Sequence, residues 1–196
     1  MNQESLTRTF HGATLTVPAE ELFRAWLRQF TEETKHAFGK APFIGQPWRG
    51  QGGINGGLAR DEYGKLYWLI VAPANVGSFE SLAYGGYGED EPNAKSEFDG
   101  LANTIALCES KIYHPAAQRC RELNHEGHRD FYLFAKREGA TLYANVREEF
   151  EIDWYITSTQ SSANTAWSQN FYDGYQSSTS KNDEGRVRAV RRLKIS

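Results

Sequence analysis

Disulfide chemistry is nearly absent from this sequence, whose 196 residues include two cysteines, Cys108 and Cys120. One pair cannot staple a chain of this length, so both read as buried thiols. Long apolar runs are missing too. None approaches the ~20 residues that span a bilayer, and no membrane insertion is expected. The opening Met1-Asn2-Gln3-Glu4 has neither the basic nor the apolar region of an export signal, so the expected place of synthesis is the cytoplasm. A strong charge of either sign is lacking: the formal net charge is -3, which gives no global field to draw nucleic acid, and no nucleic-acid partner is expected.

Catalytic signatures are missing as well. The glycine-rich run from Ile44 to Gly53 lacks the Gly-Lys-Ser/Thr of a phosphate loop, and no nucleophile elbow or metalloprotease helix occurs. Cys108, His114, Cys120, His125 and His128 offer one tight pair, His125-x-x-His128, where zinc wants two. They read as helix-end and loop residues. Glu89-Asp90-Glu91 does not follow the EF-hand spacing and reads as a solvated loop. The expectation is no metal, no cofactor and no enzyme.

What the sequence does have is aromatic residues, at 13%. They must fill a core or line a binding surface. They are conspicuous between Trp154 and Leu193, where a Ser/Asn/Thr/Gln-rich run carries Trp167, Phe171, Tyr172 and Tyr175 and ends in Arg186-Val187-Arg188-Ala189-Val190-Arg191-Arg192-Leu193. A polar run alone would be a candidate for disorder, since it buries too little apolar area to offset chain entropy. Interleaved aromatics favour a folded surface that displays amides, hydroxyls and aromatic faces, the chemistry of a paratope.

The pattern along the chain predicts a weak strand or arm over 1–16 and an amphipathic helix over 18–38, with Leu22, Phe23, Trp26, Leu27 and Phe30 on one stripe. That helix is expected to pack on the domain or mediate self-association. Turns should dominate 41–57. Strands are predicted over 54–60 and 66–72 about a turn at 61–65, with Pro73 as a stop. Residues 77–95 read as an irregular loop. A helix capped by Ser96 should pass Leu101, Ile105 and Cys108, and another should begin at Pro115 and reach Leu123. A strand over 130–134 and a helix over 136–149, weakened by Gly139, come next. Strands are then expected over 154–159, 166–172, 175–177 and 186–193, with a turn at Asp173-Gly174. In the last strand Arg186, Arg188, Val190 and Arg192 share a face, expected to stack on neighbouring aromatics and carboxylates.

The ordered motifs Leu69-Ile70-Val71-Ala72-Pro73, Tyr84-Gly85-Gly86-Tyr87-Gly88, Ala102-Asn103-Thr104 and Ala116-Ala117-Gln118-Arg119-Cys120-Arg121-Glu122-Leu123 are followed by Asp130-Phe131-Tyr132-Leu133 and Leu142-Tyr143-Ala144-Asn145. Thr157-Ser158-Thr159-Gln160, Ala166-Trp167-x-Gln169-Asn170-Phe171-x-Asp173-Gly174 and the arginine-rich close complete the series. Over about 44–195 this series resembles the Lcl C-terminal-type domain family. With Ile44-Gly45-Gln46-Pro47-Trp48 and Gly52-Gly53 it is most similar to a phage and prophage subset that includes variable proteins of diversity-generating retroelements. It departs from the family at 130–136, where Leu-Pro-Thr or Leu-Pro-Ser is usual.

The resemblance implies an α+β chain with a C-type-lectin-like fold: twisted antiparallel sheets, two to four helices and much irregular loop. It places the ligand-binding domain at 44–196, after an N-terminal arm and helix at 1–43. The formylglycine-generating oxidases share that broad fold but need a cysteine pair near the C-terminus, and this chain has no cysteine after Cys120. Residues between the framework strands are diversified in such variable proteins. The matching positions are Gln160, Ser161, Asn164, Thr165, Ser168, Asn170, Tyr172, Tyr175, Ser177, Thr179, Asn182 and Asp183, to which Trp167 is added as an aromatic.

The function expected from this surface is non-enzymatic binding of a host surface protein or glycan by a phage-encoded protein, either a virion receptor-binding or accessory component. The alternative is an intracellular protein that binds and blocks a host complex such as a defence system. A second copy of the chain, or virion neighbours, are the further partners to consider.

Overall fold

The computed structural model describes residues 5–10, 13–27 and 41–195. Two compact units cluster separately: one ends at Ala41 and the other runs from Pro42 to Ile195. In the first, β1 (Ser5–Phe10) pairs antiparallel with β2 (Ala13–Pro18), where the pattern predicts a single weak strand. Facing threonine hydroxyls join the two strands, Thr7 to Thr16 at 3.0 Å and Thr9 to Thr14 at 3.2 Å. Helix α1 follows over 19–27 and carries a Glu20–Arg24 pair one turn apart. The remainder of the helix expected to 38 lies outside the described residues.

The second unit is α+β. Its sheet has nine strands in the order β10-β9-β8-β11-β5-β4-β3, with β6 and β7 also paired to β11. These are β3 (Pro47–Trp48), β4 (Gly53–Arg60), β5 (Leu66–Val71), β6 (Ser78–Ala83), β7 (Tyr132–Leu133), β8 (Trp154–Gln160), β9 (Thr165–Asn170), β10 (Gln176–Ser180) and β11 (Glu184–Lys194). The helices are α2 (Ala74–Gly77), α3 (Gly100–Glu109), α4 (Pro115–Arg121) and α5 (Lys136–Val146), the last continued by a 3-10 turn over Arg147–Glu149.

Two expectations about architecture change. Counting α1 and the short α2, the described residues hold five helices rather than two to four. The sheet is also mixed rather than purely antiparallel, because Arg186 of β11 bridges in parallel to Tyr155 of β8.

β11 is the axis of this unit. Its first half pairs with β6, with a register shift between Gly185 and Val187, and its second half pairs with β7 and β5 from Ala189 onward. A central strand is covered on both faces, so the arginines of β11 need partners within the sheet. Arg188 is buried, donates from Nε to Ala72 O at 2.8 Å and lies 5.2 Å over the Phe150 ring. Arg192 sits 4.0 Å over the Tyr67 ring and bonds Asp99 at 2.8 Å, while Arg191 grips Asp130 through Nε and Nη2 at 2.8 and 2.9 Å. These contacts are the stacked and carboxylate-paired use expected of that strand.

Two apolar clusters fill the unit. One gathers Leu107, Ala116, Ala117, Cys120, Phe131, Ile156 and Val187, and the other Leu69, Val71, Tyr132, Phe134, Leu142, Tyr155, Phe171 and Val190. Glu138 acts as a polar rivet within the second: its Oε1 accepts the Tyr67 and Tyr132 hydroxyls, each at 2.7 Å, and its Oε2 accepts Ala135 N–H at 2.7 Å.

Residues near the site depart from the sequence pattern in two places. β6 occupies a stretch expected to be loop. Helix α3 is capped by Asp99, whose carboxylate accepts Ala102 N–H, while the Ser96 hydroxyl accepts the N–H groups of Phe98 and Asp99 in the turn ahead of it. Gly139 does not interrupt α5. A Cβ there would come within 3.0 Å of the Phe134 ring, so the missing side chain lets the helix lie against that ring.

Candidate ligand-binding surface

β8, β9 and β10 form an antiparallel meander that carries the predicted site residues. β9 pairs Tyr155 with Gln169 and Ile156 with Ser168, and β10 pairs Gln176 with Gln169 and Ser178 with Trp167. Alternation therefore puts Trp154, Ile156, Ala166, Ser168, Asn170, Ser177 and Thr179 on one face and Tyr155, Thr157, Thr165, Trp167, Gln169, Gln176 and Ser178 on the other. Position in this meander decides which candidate side chains can meet a ligand.

Gln160 cannot. It is 3% exposed; its Nε2 donates to Asp90 Oδ1 at 2.6 Å, and its Oε1 accepts Glu91 N–H at 2.8 Å and the Lys181 ammonium at 2.6 Å. Ser168 is likewise only 2% exposed and shares a 2.9 Å hydroxyl bond with Thr179. Trp167 is half-buried on the opposite face, with Lys136 Nζ 3.4 Å from its ring centroid and Glu97 binding the same ammonium at 2.7 Å. These three side chains hold the scaffold together. For Gln160 and Ser168, burial corrects the expectation of display.

The remaining candidates divide between the two ends of the meander. At one end lie exposed Ser161 and Asn164 in the β8–β9 hairpin, half-buried Thr165, and exposed Asn182 and Asp183 in the β10–β11 turn. Lys181 N–H bonds Asn164 O at 2.9 Å, which ties the two turns together. The loop of Tyr87 joins them, since Gly88 N–H bonds Ala163 O at 3.0 Å and Tyr87 is 53% exposed. At the other end lie Asn170, Tyr172 and Tyr175. Five residues of β10, at about 3.3 Å each, separate the ends by roughly 17 Å. Half-buried Ser177 and Thr179 lie between them.

The aromatic end is built for rigidity. Asn170 Oδ1 accepts Tyr172 N–H at 2.7 Å and Asp173 Oδ1 accepts Tyr175 N–H at 3.0 Å, so both tyrosines leave a fixed turn. Arg147 secures its base by donating to Phe171 O at 2.8 Å and Tyr172 O at 3.0 Å. Tyr172 and Tyr175 are 65% and 63% exposed, and Trp154 meets Tyr175 edge to face at 6.3 Å. Exposed Ile152 precedes Trp154 by two residues.

Trp154 and Tyr87 are the contributions missing from the sequence-derived set. Trp154 shares its strand face with Asn170 through their direct pairing, a relation that alternation within β8 alone does not reveal. Tyr87 lies far away in sequence, and only the Gly88–Ala163 bond places it at the hairpin.

Several charged groups beneath this surface are bonded to neighbours. His114 is buried with Nδ1 3.0 Å from Tyr84 O and Nε2 3.1 Å from Glu91 Oε1, and Ser110 donates to the same carboxylate oxygen at 2.6 Å. Asp90 pairs with Lys95 at 2.8 Å, and this contact holds its carboxyl below the ordinary value of 3.8. The acidic loop is thus a bonded part of the scaffold. Among the described residues, no group of three His, Cys, Asp or Glu side chains is placed to hold a metal ion, and no helix is long and apolar enough to cross a membrane. No protein-family model matches the chain, and no curated protein aligns with it significantly.

Proposed function

We propose that this chain is a non-enzymatic, phage-encoded binding protein with a C-type-lectin-like domain, whose β8–β10 meander presents a ligand surface to a host protein or glycan. The reading brings together the resemblance to variable proteins and the side chains of the meander's exposed ends. One observation carries it: Tyr172 and Tyr175 project from a turn fixed by their own neighbours, beside Trp154, on an otherwise uncharged Ser/Asn/Thr strand pair. Rigid aromatics lose little entropy on contact and offer both an apolar face and a hydroxyl, while Asn and Ser supply adaptable hydrogen bonds. The ligand surface in this proposal consists of Tyr172, Tyr175, Asn170, Trp154, Ser177 and Thr179, extended at the far end by Ser161, Asn164, Thr165, Asn182, Asp183 and Tyr87. A virion receptor-binding or accessory role suits such a surface.

The test is binding of fluorescently labelled protein to host cells, for the wild type and for Tyr172→Ala and Tyr175→Ala. Each truncation should weaken binding by roughly 1–3 kcal/mol, or about 5- to 150-fold, while leaving the unfolding transition in place. Unchanged binding by both folded variants would remove the aromatic end from the site. Proteomics of purified particles then separates a virion component from an intracellular blocker, which is absent from particles.

A further inference from the structure

Lys181 is a buried lysine held against a buried carboxamide. It is 0% exposed, yet no carboxylate lies within ion-pair distance of its ammonium among the described residues. Its Nζ instead reaches three carbonyl oxygens: Gln160 Oε1 at 2.6 Å, Glu89 O at 2.7 Å and Gly86 O at 3.4 Å. The Tyr84 ring lies 5.3 Å away on another side. Burial lowers the pKa of Lys181, against the opposing pull of Glu91, Asp90 and Glu89. Once deprotonated, its amine is a nucleophile.

Its nearest neighbour is an electrophile held in position. The Gln160 carboxamide is buried, its oxygen already accepts Glu91 N–H at 2.8 Å, and its nitrogen donates to Asp90 Oδ1 at 2.6 Å. One donor thus stands where negative charge would develop on the carbonyl oxygen, and a carboxylate stands at the nitrogen that would leave. Asp90 stands where it can take a proton from Nζ and pass it to Nε2, although its pairing with Lys95 at 2.8 Å weakens it as a base.

We propose that Lys181 and Gln160 form an intramolecular isopeptide bond. Nζ swings from its hydrogen bond to the face of the carboxamide, and its lone pair forms a bond to Cδ. The carbonyl π pair moves onto Oε1, where Glu91 N–H stabilises it. Water takes the first proton from the ammonium before the attack, and afterwards a second passes from Nζ to Asp90 and on to Nε2. The Cδ–Nε2 bond then breaks as the carbonyl re-forms, and Nε2 leaves with its electron pair as ammonia. Amine plus primary amide becomes secondary amide plus ammonia, with no change of oxidation state and no co-reactant.

The bond would close a covalent loop from residue 160 to residue 181, around both β8–β9 and β9–β10 hairpins and hence around the aromatic end. Its chemistry stands or falls independently of what that surface binds.

Intact mass spectrometry of the purified, folded full chain tests it directly. The expected mass is that of the sequence less one ammonia, and tryptic digestion should yield a branched peptide joining the segments that contain Gln160 and Lys181. Lys181→Arg keeps a cation in place but removes the nucleophile, so it should show the full sequence mass; Asp90→Asn should slow ammonia loss after refolding from denaturant. A folded wild type with the full sequence mass and an unbranched Gln160 peptide overturns the proposal, as does ammonia loss that persists in Lys181→Arg.

Discussion

Replacing Glu138 by alanine should be among the most damaging single changes to the second unit. The substitution leaves the Tyr132 hydroxyl and the N–H of Ala135 without their acceptor in buried surroundings, while the Tyr67 hydroxyl keeps its bond to Phe98 O at 3.1 Å. An unsatisfied buried donor costs about 1–3 kcal/mol, so two of them cost roughly 2–5 kcal/mol once water entering the vacated space offsets part of the loss. That is a large share of the ~5–15 kcal/mol that typically holds a domain folded. Glu138→Gln retains an acceptor oxygen for the tyrosines but presents an amide to Ala135 N–H, and should cost only about 1–2 kcal/mol.

The pH dependence separates burial from ion pairing at this site. Burial pushes the Glu138 carboxyl above its ordinary 4.5, against the opposing pull of its hydrogen bonds and of Arg192 at 3.6 Å. A folded pKa above the unfolded one means that the contribution is fully present below pH 4.5 and is lost as pH rises through the folded value. The stability advantage of wild type over Glu138→Gln should therefore shrink from acid toward neutral pH. Urea unfolding followed by tryptophan fluorescence measures both effects. A cost below about 1 kcal/mol for Glu138→Ala, or an advantage over Glu138→Gln that grows with pH, would refute the reasoning.

Other perturbations test the surroundings of the site. Gly85 and Gly88 share a left-handed backbone, with φ of +86° and +89°, but a Cβ at Gly85 would run into Tyr113 O and approach Pro115 Cδ at 2.8 Å, whereas at Gly88 it meets nothing within 4 Å. Gly88→Ala should cost about 1–2 kcal/mol from backbone strain alone and Gly85→Ala clearly more, as read from paired thermal melts. The carboxyls of Glu97 and Asp130 are held below their ordinary 4.5 and 3.8, with Lys136 and Arg191 respectively supplying the stabilising hydrogen bonds. Depressed folded values give stability that is present above those ordinary values and is lost as pH falls below them. Arg191→Gln should flatten the acid limb of the pH–stability curve, and an unchanged limb counts against the Arg191–Asp130 pair.

Much of the second unit is legible in the sequence because its strands carry local signals. The 66–72 run is continuous in apolar residues, and Asp61 through Lys65 has the residues of a turn, whose Asp61 carboxylate accepts the N–H groups of Tyr63 and Lys65 at 2.9 Å each. β6 was not legible, since Ser78-Phe79-Glu80-Ser81-Leu82-Ala83 has little strand character, and it owes its conformation to pairing with β11 more than a hundred residues later. Gln160 misled for a related reason. It stands beside a polar run and looks solvent-facing, but burial follows from Lys181 and Glu91 N–H, which need its oxygen. The cap of α3 moved from Ser96 to Asp99 because both residues bond forward and only tertiary placement selects between them.

The central position of β11 sets the order in which the sheet can be made. Val190 pairs with Val71 and Arg188 with Ser78, contacts more than a hundred residues apart, while β6 and β7 pair with β11 alone among the described strands. Such contact order implies slow folding, on the scale of milliseconds to seconds, governed by long loop closures. Until Glu184–Lys194 arrives, the edges of β5 and β8 stand open and exposed to intermolecular pairing. The arginines that β11 carries inward exchange water for aromatic faces, a carbonyl and carboxylates when the strand joins the sheet.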